Sequence, residues 1–186
     1  GIGSNTLTIK GVDSLKSIEN IAVIPDRIEA GTFLIAAAAI GEKVEVTNII
    51  PEHLESVVQC LKKANVNIEV SYNSITVQSD NKNISSTNIE TNEYPGFPTD
   101  LQAQWMMLMC LAKGTSTIKE NIYYDRFTHI MELNRLGCNI KLEDSVAIIE
   151  GDRSLIGADV MSTDIRASAA LIIAALCAKG TTKISR

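Results

Sequence analysis

The sequence has no closely spaced pair of cysteines, and its two histidines lie far apart in the chain. Zinc sites use closely spaced Cys and His ligands, so the sequence predicts no metal site. The four cysteines present are Cys60, Cys110, Cys138 and Cys177. Most of them stand in apolar stretches, where free cysteine behaves as a small buried hydrophobe. We therefore expect reduced thiols in the core of a cytoplasmic protein.

Excess positive charge and long apolar runs are missing as well. The net charge of −5 argues against a nucleic-acid partner, because neutralising phosphates requires clustered Lys and Arg. The most apolar run, residues 167–178, is well short of the ~20 residues that span a bilayer. No basic-then-apolar signal segment opens the chain. With 45% hydrophobic and 21% charged residues, the composition is typical of a soluble globular domain with no membrane partner.

Loops that bind cofactors and turns that present nucleophiles are also missing. The chain has no GxxxxGK[ST] or GxGxxG sequence for a nucleotide. It has no GxSxG turn for a catalytic serine. Gly41, Gly114 and Gly180 follow apolar helical stretches, where glycine commonly ends a helix. We therefore expect no cofactor.

The sequence does contain an internal repeat. Three segments begin with an aspartate, continue through an apolar helical stretch and an A-x-G sequence, and end in an alternating strand. Their aspartates are Asp26, Asp100 and Asp164. A second motif also repeats, because LKKANVNIEVSYNSITVQ from Leu61 parallels LNRLGCNIKLEDSVAIIE from Leu133. Each copy predicts the end of an amphipathic helix followed by a β-hairpin.

The repeating unit is therefore strand, buried helix, strand, amphipathic helix and hairpin, which predicts the α/β class with mixed (α+β) sheets. The helices at 101–112 and 165–178 are apolar nearly all round, so protein should surround them on every side. The segment at 4–12 matches the last strand of a unit. We expect an incomplete array of units packed around buried helices, divided into the end of a preceding unit (1–20), two repeat units (21–93 and 94–155) and the start of a further unit (156–186).

The three repeated aspartates each stand where an apolar helix begins. Aspartate is a favoured N-cap because its carboxylate accepts bonds from free backbone N–H groups, so capping is the first interpretation for all three. Arg27 and Arg166 lie in first helical turns, where the helix dipole makes a cation unfavourable by ~0.3–1 kcal/mol. Either arginine could pair with the neighbouring aspartate or hold an anion at the helix end. We favour the pair with Asp26 for Arg27 and the anion for Arg166.

Other polar residues have ordinary interpretations. Arg126, beside Asp125, is first interpreted as a solvated arginine at a helix start. His129 is expected to be on the surface or half-buried, and His53 on the surface. Trp105, inside an apolar helix, is expected in the core.

Four motifs, PDRIEAGTF, YPGFPTDLQAQ, YYDRFTHIMELNRLG and TDIRASAAL, occur in an order and spacing that resemble the enolpyruvyl transferases. Within that family they are most similar to the members that act on UDP-N-acetylglucosamine. The resemblance implies a two-domain enzyme in which each domain is an inside-out α/β barrel of three βαβαββ units. Such enzymes move the enolpyruvyl group of phosphoenolpyruvate to the 3′-hydroxyl of the sugar nucleotide and release phosphate, the first committed step of peptidoglycan synthesis.

The resemblance also implies roles for individual residues. Asp100 would remove or orient the proton of the 3′-hydroxyl. Ile122 would contact the sugar nucleotide, through its backbone. Arg126 and Arg166 would face phosphoenolpyruvate, because their planar forks suit its carboxylate. Asp164 would lie beside that site and hold a basic partner in place.

Asp26 and Arg27 would lie near the cleft in a supporting role. The family's cysteine that protonates the enolpyruvyl carbon belongs to the N-terminal domain, and none of the four cysteines here lies in a matching motif. The chain would thus be a C-terminal portion without its N-terminal partner domain. We expect it to have no transferase activity alone.

Two alternatives stay open. One is the sister activity on shikimate 3-phosphate, 3-phosphoshikimate 1-carboxyvinyltransferase, which shares the fold and the arginines. The other is a non-catalytic repeat protein that acts as a binding module, with the aspartates as helix caps. FPTDLQAQ and DRIEAGTF favour the amino-sugar enzyme over the first.

Overall fold

The computed structural model describes residues 6–41, 43–80 and 82–186. The described residues form five helices: α1 (Arg27–Ile40), α2 (Glu55–Lys63), α3 (Gln102–Leu111), α4 (Ile130–Arg135) and α5 (Ile165–Cys177). They also form nine strands: β1 (Lys43–Thr47), β2 (Asn67–Val70), β3 (Ser74–Gln78), β4 (Ile89–Glu90), β5 (Thr115–Lys119), β6 (Asn139–Glu143), β7 (Val146–Glu150), β8 (Asp159–Met161) and β9 (Lys183–Ser185). Short 3₁₀ turns at Pro51–Leu54 and Thr99–Leu101 lead into α2 and α3.

The three apolar helices α1, α3 and α5 pack against one another at the centre. Residues 102–110 of α3 are all buried, and Trp105 has no exposed surface, so the predictions of an enclosed helix and a core tryptophan are confirmed. The same prediction is wrong for α5, because its Ile165, Ile172 and Leu176 are exposed. In the part of the chain that the structure describes, α5 packs mainly on α1, α3 and α4, which leaves one apolar face uncovered.

Three sheets lie around these helices. The first has strand order β1-β3-β2 and is antiparallel. The second has order β4-β5-β7-β6, with β4 parallel to β5 and the other pairs antiparallel. The third pairs β8 with β9 in parallel. Helices α3 and α5 are the crossovers between the parallel strands, as expected for parallel neighbours.

The elements β4, α3, β5, α4, β6 and β7 follow one another in the order βαβαββ. Both predicted hairpins are present, with turns at 71–73 and 144–145. Asp144 has a φ of 52°, a left-handed conformation that Asp tolerates well. The mixed α/β class predicted from the sequence is confirmed. The described residues do not close a barrel.

The prediction of a strand at residues 4–12 is wrong for the residues that the structure describes. Residues 4 and 5 lie outside the described residues, and residues 6–12 form no strand. Leu7, Ile9 and Val12 are exposed, and residues 21–25, before α1, form no strand either. A strand is stable only when a neighbour takes its backbone hydrogen bonds, and none of the described strands pairs with this segment.

All four cysteines are free thiols. Cys110 and Cys138 are buried, while Cys60 and Cys177 are half-buried. Burial raises the pKa of the Cys177 thiol to about 11. A hydrogen bond with Cys138, together with burial, raises the pKa of Cys110 well above its usual value. These groups have the properties of core thiols and not of reactive nucleophiles.

Candidate active site

Three side chains from separate segments meet at one end of the central helices. Asp100 lies in the 3₁₀ turn before α3, Arg126 in the loop before α4, and Arg166 in the first turn of α5. One carboxylate oxygen, Asp100 Oδ1, accepts hydrogen bonds from Arg126 Nη1 at 3.1 Å and from Arg166 Nε at 2.5 Å. The carboxylate therefore joins two guanidinium groups that are 40 positions apart in the chain, since 166 − 126 = 40.

Asp100 does not cap α3, so the capping interpretation is wrong for this aspartate. The N-cap position of α3 is Leu101, and no side chain bonds the free N–H groups there. The carboxylate instead turns towards the two arginines. In the described part of the chain only Oδ1 has hydrogen-bond partners, which leaves Oδ2 available to another group.

Asp164 caps α5, as predicted. Its Oδ1 accepts from the backbone N–H groups of Arg166 at 2.8 Å and Ala167 at 3.1 Å. The cap fixes the backbone of the turn that carries Arg166. The guanidinium of Arg166 pairs with the distant Asp100 and not with the neighbouring Asp164.

Asp26 caps α1 in the same way, with bonds from Ile28 N at 2.7 Å and Glu29 N at 3.3 Å. The ion pair expected between Arg27 and Asp26 is wrong. The guanidinium of Arg27 lies over the ring of Tyr94 at 5.3 Å, because the Asp26 carboxylate is directed to the helix end. Among the described residues, no hydrogen bond or ion pair joins Asp26 or Arg27 to the Asp100 cluster.

Arg126 is not the solvated residue that the sequence suggested, because its side chain is only 15% exposed. It pairs with Asp100 instead of its neighbour Asp125. Its Nη1 also donates to Thr99 Oγ1 at 2.9 Å. Its guanidinium lies 4.2 Å from the centroid of the Tyr123 ring, a favourable cation–π contact. Three neighbours thus fix the direction of this guanidinium.

Glu120 is a site residue that the sequence interpretation missed. It is buried. Its Oε1 accepts from Thr91 Oγ1 at 2.7 Å, Ile122 N at 2.9 Å and Tyr123 N at 3.1 Å. Its Oε2 accepts from Thr99 Oγ1 at 3.0 Å. The same hydroxyl that accepts from Arg126 therefore donates to Glu120.

A sequence signal for Glu120 did exist. Successive residues of a strand point to opposite faces. Ser116 and Ile118 are the buried residues of β5, and Glu120 continues their spacing of two. An acid on the buried face of a strand must have hydrogen-bond partners, which marks it for attention.

An open cleft of about 500 Å³ lies beside the arginines. Its lining residues are Tyr123, Tyr124, Asp125, Arg126, Thr128, Asp164 and Arg166. Ile122 precedes the lining residue Tyr123 in the chain. Its N–H already donates to Glu120, so its carbonyl is the backbone group left for a ligand. The formal charges of the lining residues cancel, because Arg126 and Arg166 are matched by Asp125 and Asp164. The two guanidinium groups are therefore the part of the cleft suited to an anion.

The prediction that His129 is on the surface or half-buried is wrong, because the side chain is buried. Burial lowers its pKa to about 4, although the negative charge of Asp164 acts in the opposite direction. Its Nε2 has no hydrogen-bond partner among the described residues. His53 is only half-exposed, with its ring edge-on to Tyr94 at 6.2 Å.

The described residues contain neither a metal-ligand cluster nor a membrane-spanning helix. No group of three or more His, Cys, Asp and Glu residues there could hold a metal ion. No helix in that part of the chain is both long and apolar enough to cross a bilayer.

Comparison with known proteins gives one consistent family. The sequence profile of the family described as EPSP synthase (3-phosphoshikimate 1-carboxyvinyltransferase) matches residues 1–186. The chain is 47% identical over 186 residues to the UDP-N-acetylglucosamine 1-carboxyvinyltransferase of Myxococcus xanthus. It is 52% identical over 187 residues to the protein of that name in Campylobacter fetus. All of this chain aligns in both cases, and it spans 44% of each relative's length.

Solved structures agree on the fold. The enolpyruvyl transferase NikO of Streptomyces tendae superposes with a TM-score of 0.82 at 26% identity, over 89% of this chain and 40% of that one. An EPSP synthase of Acinetobacter baumannii superposes with a TM-score of 0.70 at 14% identity and the same coverage. The second likeness concerns the fold alone.

Proposed function

The chain belongs to the EPSP synthase family of enolpyruvyl (1-carboxyvinyl) transferases, and we propose that it forms one wall of the active site of such an enzyme. The proposed reaction transfers the enolpyruvyl group of phosphoenolpyruvate to the 3′-hydroxyl of UDP-N-acetylglucosamine, in the cytoplasm, at the start of peptidoglycan synthesis. The observation that carries the proposal is the contact of Asp100 with both Arg126 and Arg166 at the edge of an open cleft. The names of the relatives support the substrate assignment.

In the proposed reaction, a bond forms between the sugar 3′-oxygen and the enolpyruvyl carbon, and the bond from that carbon to the phosphate oxygen breaks. The hydroxyl proton must leave the sugar. Asp100 Oδ2, which has no partner among the described residues, would accept or orient that proton while Oδ1 stays bonded to the arginines. Holding the aspartate from one side fixes the direction of its free oxygen.

Arg126 and Arg166 would bind the carboxylate or phosphate of phosphoenolpyruvate. Arg166 uses Nε for Asp100, which leaves its two terminal nitrogens for an anion. Arg126 uses Nη1 for Asp100 and Thr99. Guanidinium groups suit this task because they bind oxyanions through paired, charge-assisted hydrogen bonds.

The remaining assignments are supporting ones. Ile122 would contact the sugar nucleotide with its carbonyl. Asp164 would position Arg166 by capping α5. Asp26 and Arg27 would shape the cleft from a distance.

The chain spans less than half the length of the curated relatives it matches, so we propose a partner domain in the same enzyme. That domain would supply the opposite wall of the cleft and the cysteine that protonates the methylene carbon of the enolpyruvyl group, a proton that is lost again when the phosphate leaves. The isolated chain would then release no phosphate from the two substrates.

The test compares the isolated chain with the full-length protein that contains it. Phosphate release is measured from phosphoenolpyruvate with either UDP-N-acetylglucosamine or shikimate 3-phosphate as acceptor. We expect turnover by the full-length protein with the sugar nucleotide only. Turnover with shikimate 3-phosphate would assign the sister activity, and no turnover with either acceptor would favour a non-catalytic binding module.

A further inference from the structure

Glu120 is a buried carboxylate with a complete set of hydrogen-bond donors. It is 1% exposed and accepts four bonds, from two threonine hydroxyls and two backbone N–H groups. An ionised carboxylate only accepts hydrogen bonds, so four donors suit it. No ion pair joins Glu120 to a cation among the described residues. These hydrogen bonds indicate that Glu120 orders the loop and turn residues around it.

The donors come from three segments that the sequence keeps apart. Thr91 directly follows β4, Thr99 opens the turn that carries Asp100, and Ile122 and Tyr123 belong to the loop that carries Arg126. Because β4 and β5 are parallel, their carboxyl ends meet at one edge of the sheet. Glu120 lies at that edge and ties the segments together.

Two of these bonds lead directly to Arg126. Thr99 donates to Glu120 Oε2 and accepts from Arg126 Nη1. Tyr123 donates its N–H to Glu120 Oε1, and its ring lies under the Arg126 guanidinium. Glu120 thus holds both the hydrogen-bond acceptor and the aromatic contact of one arginine.

We propose that Glu120 is a positioning residue that fixes the direction of the Arg126 guanidinium through Thr99 and Tyr123. The inference rests on the proposed function in one respect, namely that Arg126 binds phosphoenolpyruvate. The orientation of Arg126 itself does not depend on that assignment. It can be measured without any substrate.

The variant Glu120→Gln isolates the bond to Thr99. Its carbonyl oxygen can replace Oε1 and keep the bonds from Thr91, Ile122 and Tyr123. Its amide nitrogen then takes the place of Oε2 and donates to Thr99, where Glu120 accepts. The Thr99 hydroxyl must turn its own proton elsewhere, so its geometry towards Arg126 changes while the residue's volume does not.

The first test uses the full-length protein without substrates and ¹⁵N NMR of arginine side chains, with the Arg126 signal assigned from Arg126→Lys. We expect rotation of the Arg126 guanidinium to become about tenfold faster in Glu120→Gln and in Thr99→Val, which corresponds to loss of one ordinary hydrogen bond. The matched control is Glu150→Gln, because Glu150 also bonds neighbouring side chains but pairs with the opposite end of β5. An unchanged Arg126 signal in Glu120→Gln would overturn the proposal. Should Glu120→Gln fail to fold, Thr99→Val tests the same link with Glu120 in place.

The second test measures kinetics. We expect Glu120→Gln to raise KM for phosphoenolpyruvate about tenfold and to change KM for the sugar nucleotide less than about twofold. The reason is that Arg126 would be misaligned towards phosphoenolpyruvate, while contacts to the sugar nucleotide would stay in place. The double variant with Thr99→Val should be no worse than the single variants, since both remove one link. Additive effects, or an equal rise in both KM values, would reject positioning through Thr99. A wild-type protein without turnover, but with the NMR result above, would instead reject the proposed function alone.

Discussion

Arg166 Nε donates a hydrogen bond to Asp100 Oδ1 at 2.5 Å, although 66 positions separate the two residues in the chain. The bond ties the first turn of α5 to the turn before α3. Both side chains are about one-third exposed, and Arg166 also lines the open cleft. A substrate anion therefore meets an arginine that is already aligned, and alignment before binding reduces the entropy lost on binding.

Asp100→Asn tests the proposed proton acceptor. Asparagine keeps the shape of the side chain but cannot take up a proton, so we expect turnover in the full-length protein to fall by ~10²-fold or more. KM for phosphoenolpyruvate should change little, because the asparagine Oδ1 can still accept from both arginines and keep them aligned. The measurement is phosphate release under saturating substrates. Asp144→Asn, in the turn between β6 and β7, is the matched control, and equal activity of the two variants would favour the non-catalytic binding module.

Replacing Arg126 or Arg166 by lysine tests the proposed anion site. Lysine keeps the charge but is a point donor without the planar fork. Loss of a charge-assisted bond of about 1.5–3 kcal/mol predicts a rise of roughly tenfold or more in KM for phosphoenolpyruvate. Arg135→Lys, whose side chain on α4 is mostly exposed, controls for the substitution. A rise confined to the sugar nucleotide would contradict the assignment.

The two aspartate caps give a paired prediction. Asp26→Ala and Asp164→Ala should each lower the free energy of unfolding by ~1 kcal/mol, the usual loss when a cap is removed. Only Asp164→Ala should also reduce turnover, because α5 carries Arg166 in its first turn. Denaturation and phosphate release measure the two effects. Asp164→Ser should keep the stability and the turnover close to wild type, since serine also caps helices. Low turnover in Asp164→Ser would show that the negative charge of Asp164 acts directly.

The sequence predicted those features that depend on neighbours in the chain. The sequence predicts the caps Asp26 and Asp164 because a cap bonds residues two and three positions ahead. The hairpin turns and the buried Trp105 follow from equally local patterns. Capping, hairpin and periodicity rules describe the same short range over which these contacts form.

The features that the sequence alone could not predict depend on distant segments. Asp100 has the same local context as the two capping aspartates, yet its carboxylate is drawn to arginines 26 and 66 positions away. Arg27 turns to Tyr94 for the same kind of reason. Only the resemblance to the enolpyruvyl transferases separated Asp100 from the other aspartates, and the role it assigns remains a prediction.

His129 gives a prediction about stability and pH. Burial holds its pKa at about 4 in the folded chain, against an ordinary value of 6.5. Between these values the unfolded chain binds a proton that the folded chain does not. The free energy of unfolding is therefore highest above pH 6.5, as far as this histidine is concerned, and falls as the pH drops towards 4. The whole shift corresponds to about 3 kcal/mol.

His129→Gln removes this titration because glutamine is neutral at every pH. Guanidinium denaturation of the chain, followed by fluorescence of its one tryptophan, Trp105, measures the free energy of unfolding at pH 7.5 and 4.5. Carboxylates also titrate in this range, so the informative quantity is the difference between wild type and His129→Gln. We expect wild type to lose about 2–3 kcal/mol more than the variant on acidification. Asp164→Ser should enlarge the loss, because the negative charge of Asp164 supports the protonated imidazole. Equal losses in wild type and His129→Gln would mean that the histidine becomes protonated without unfolding, as a surface residue does.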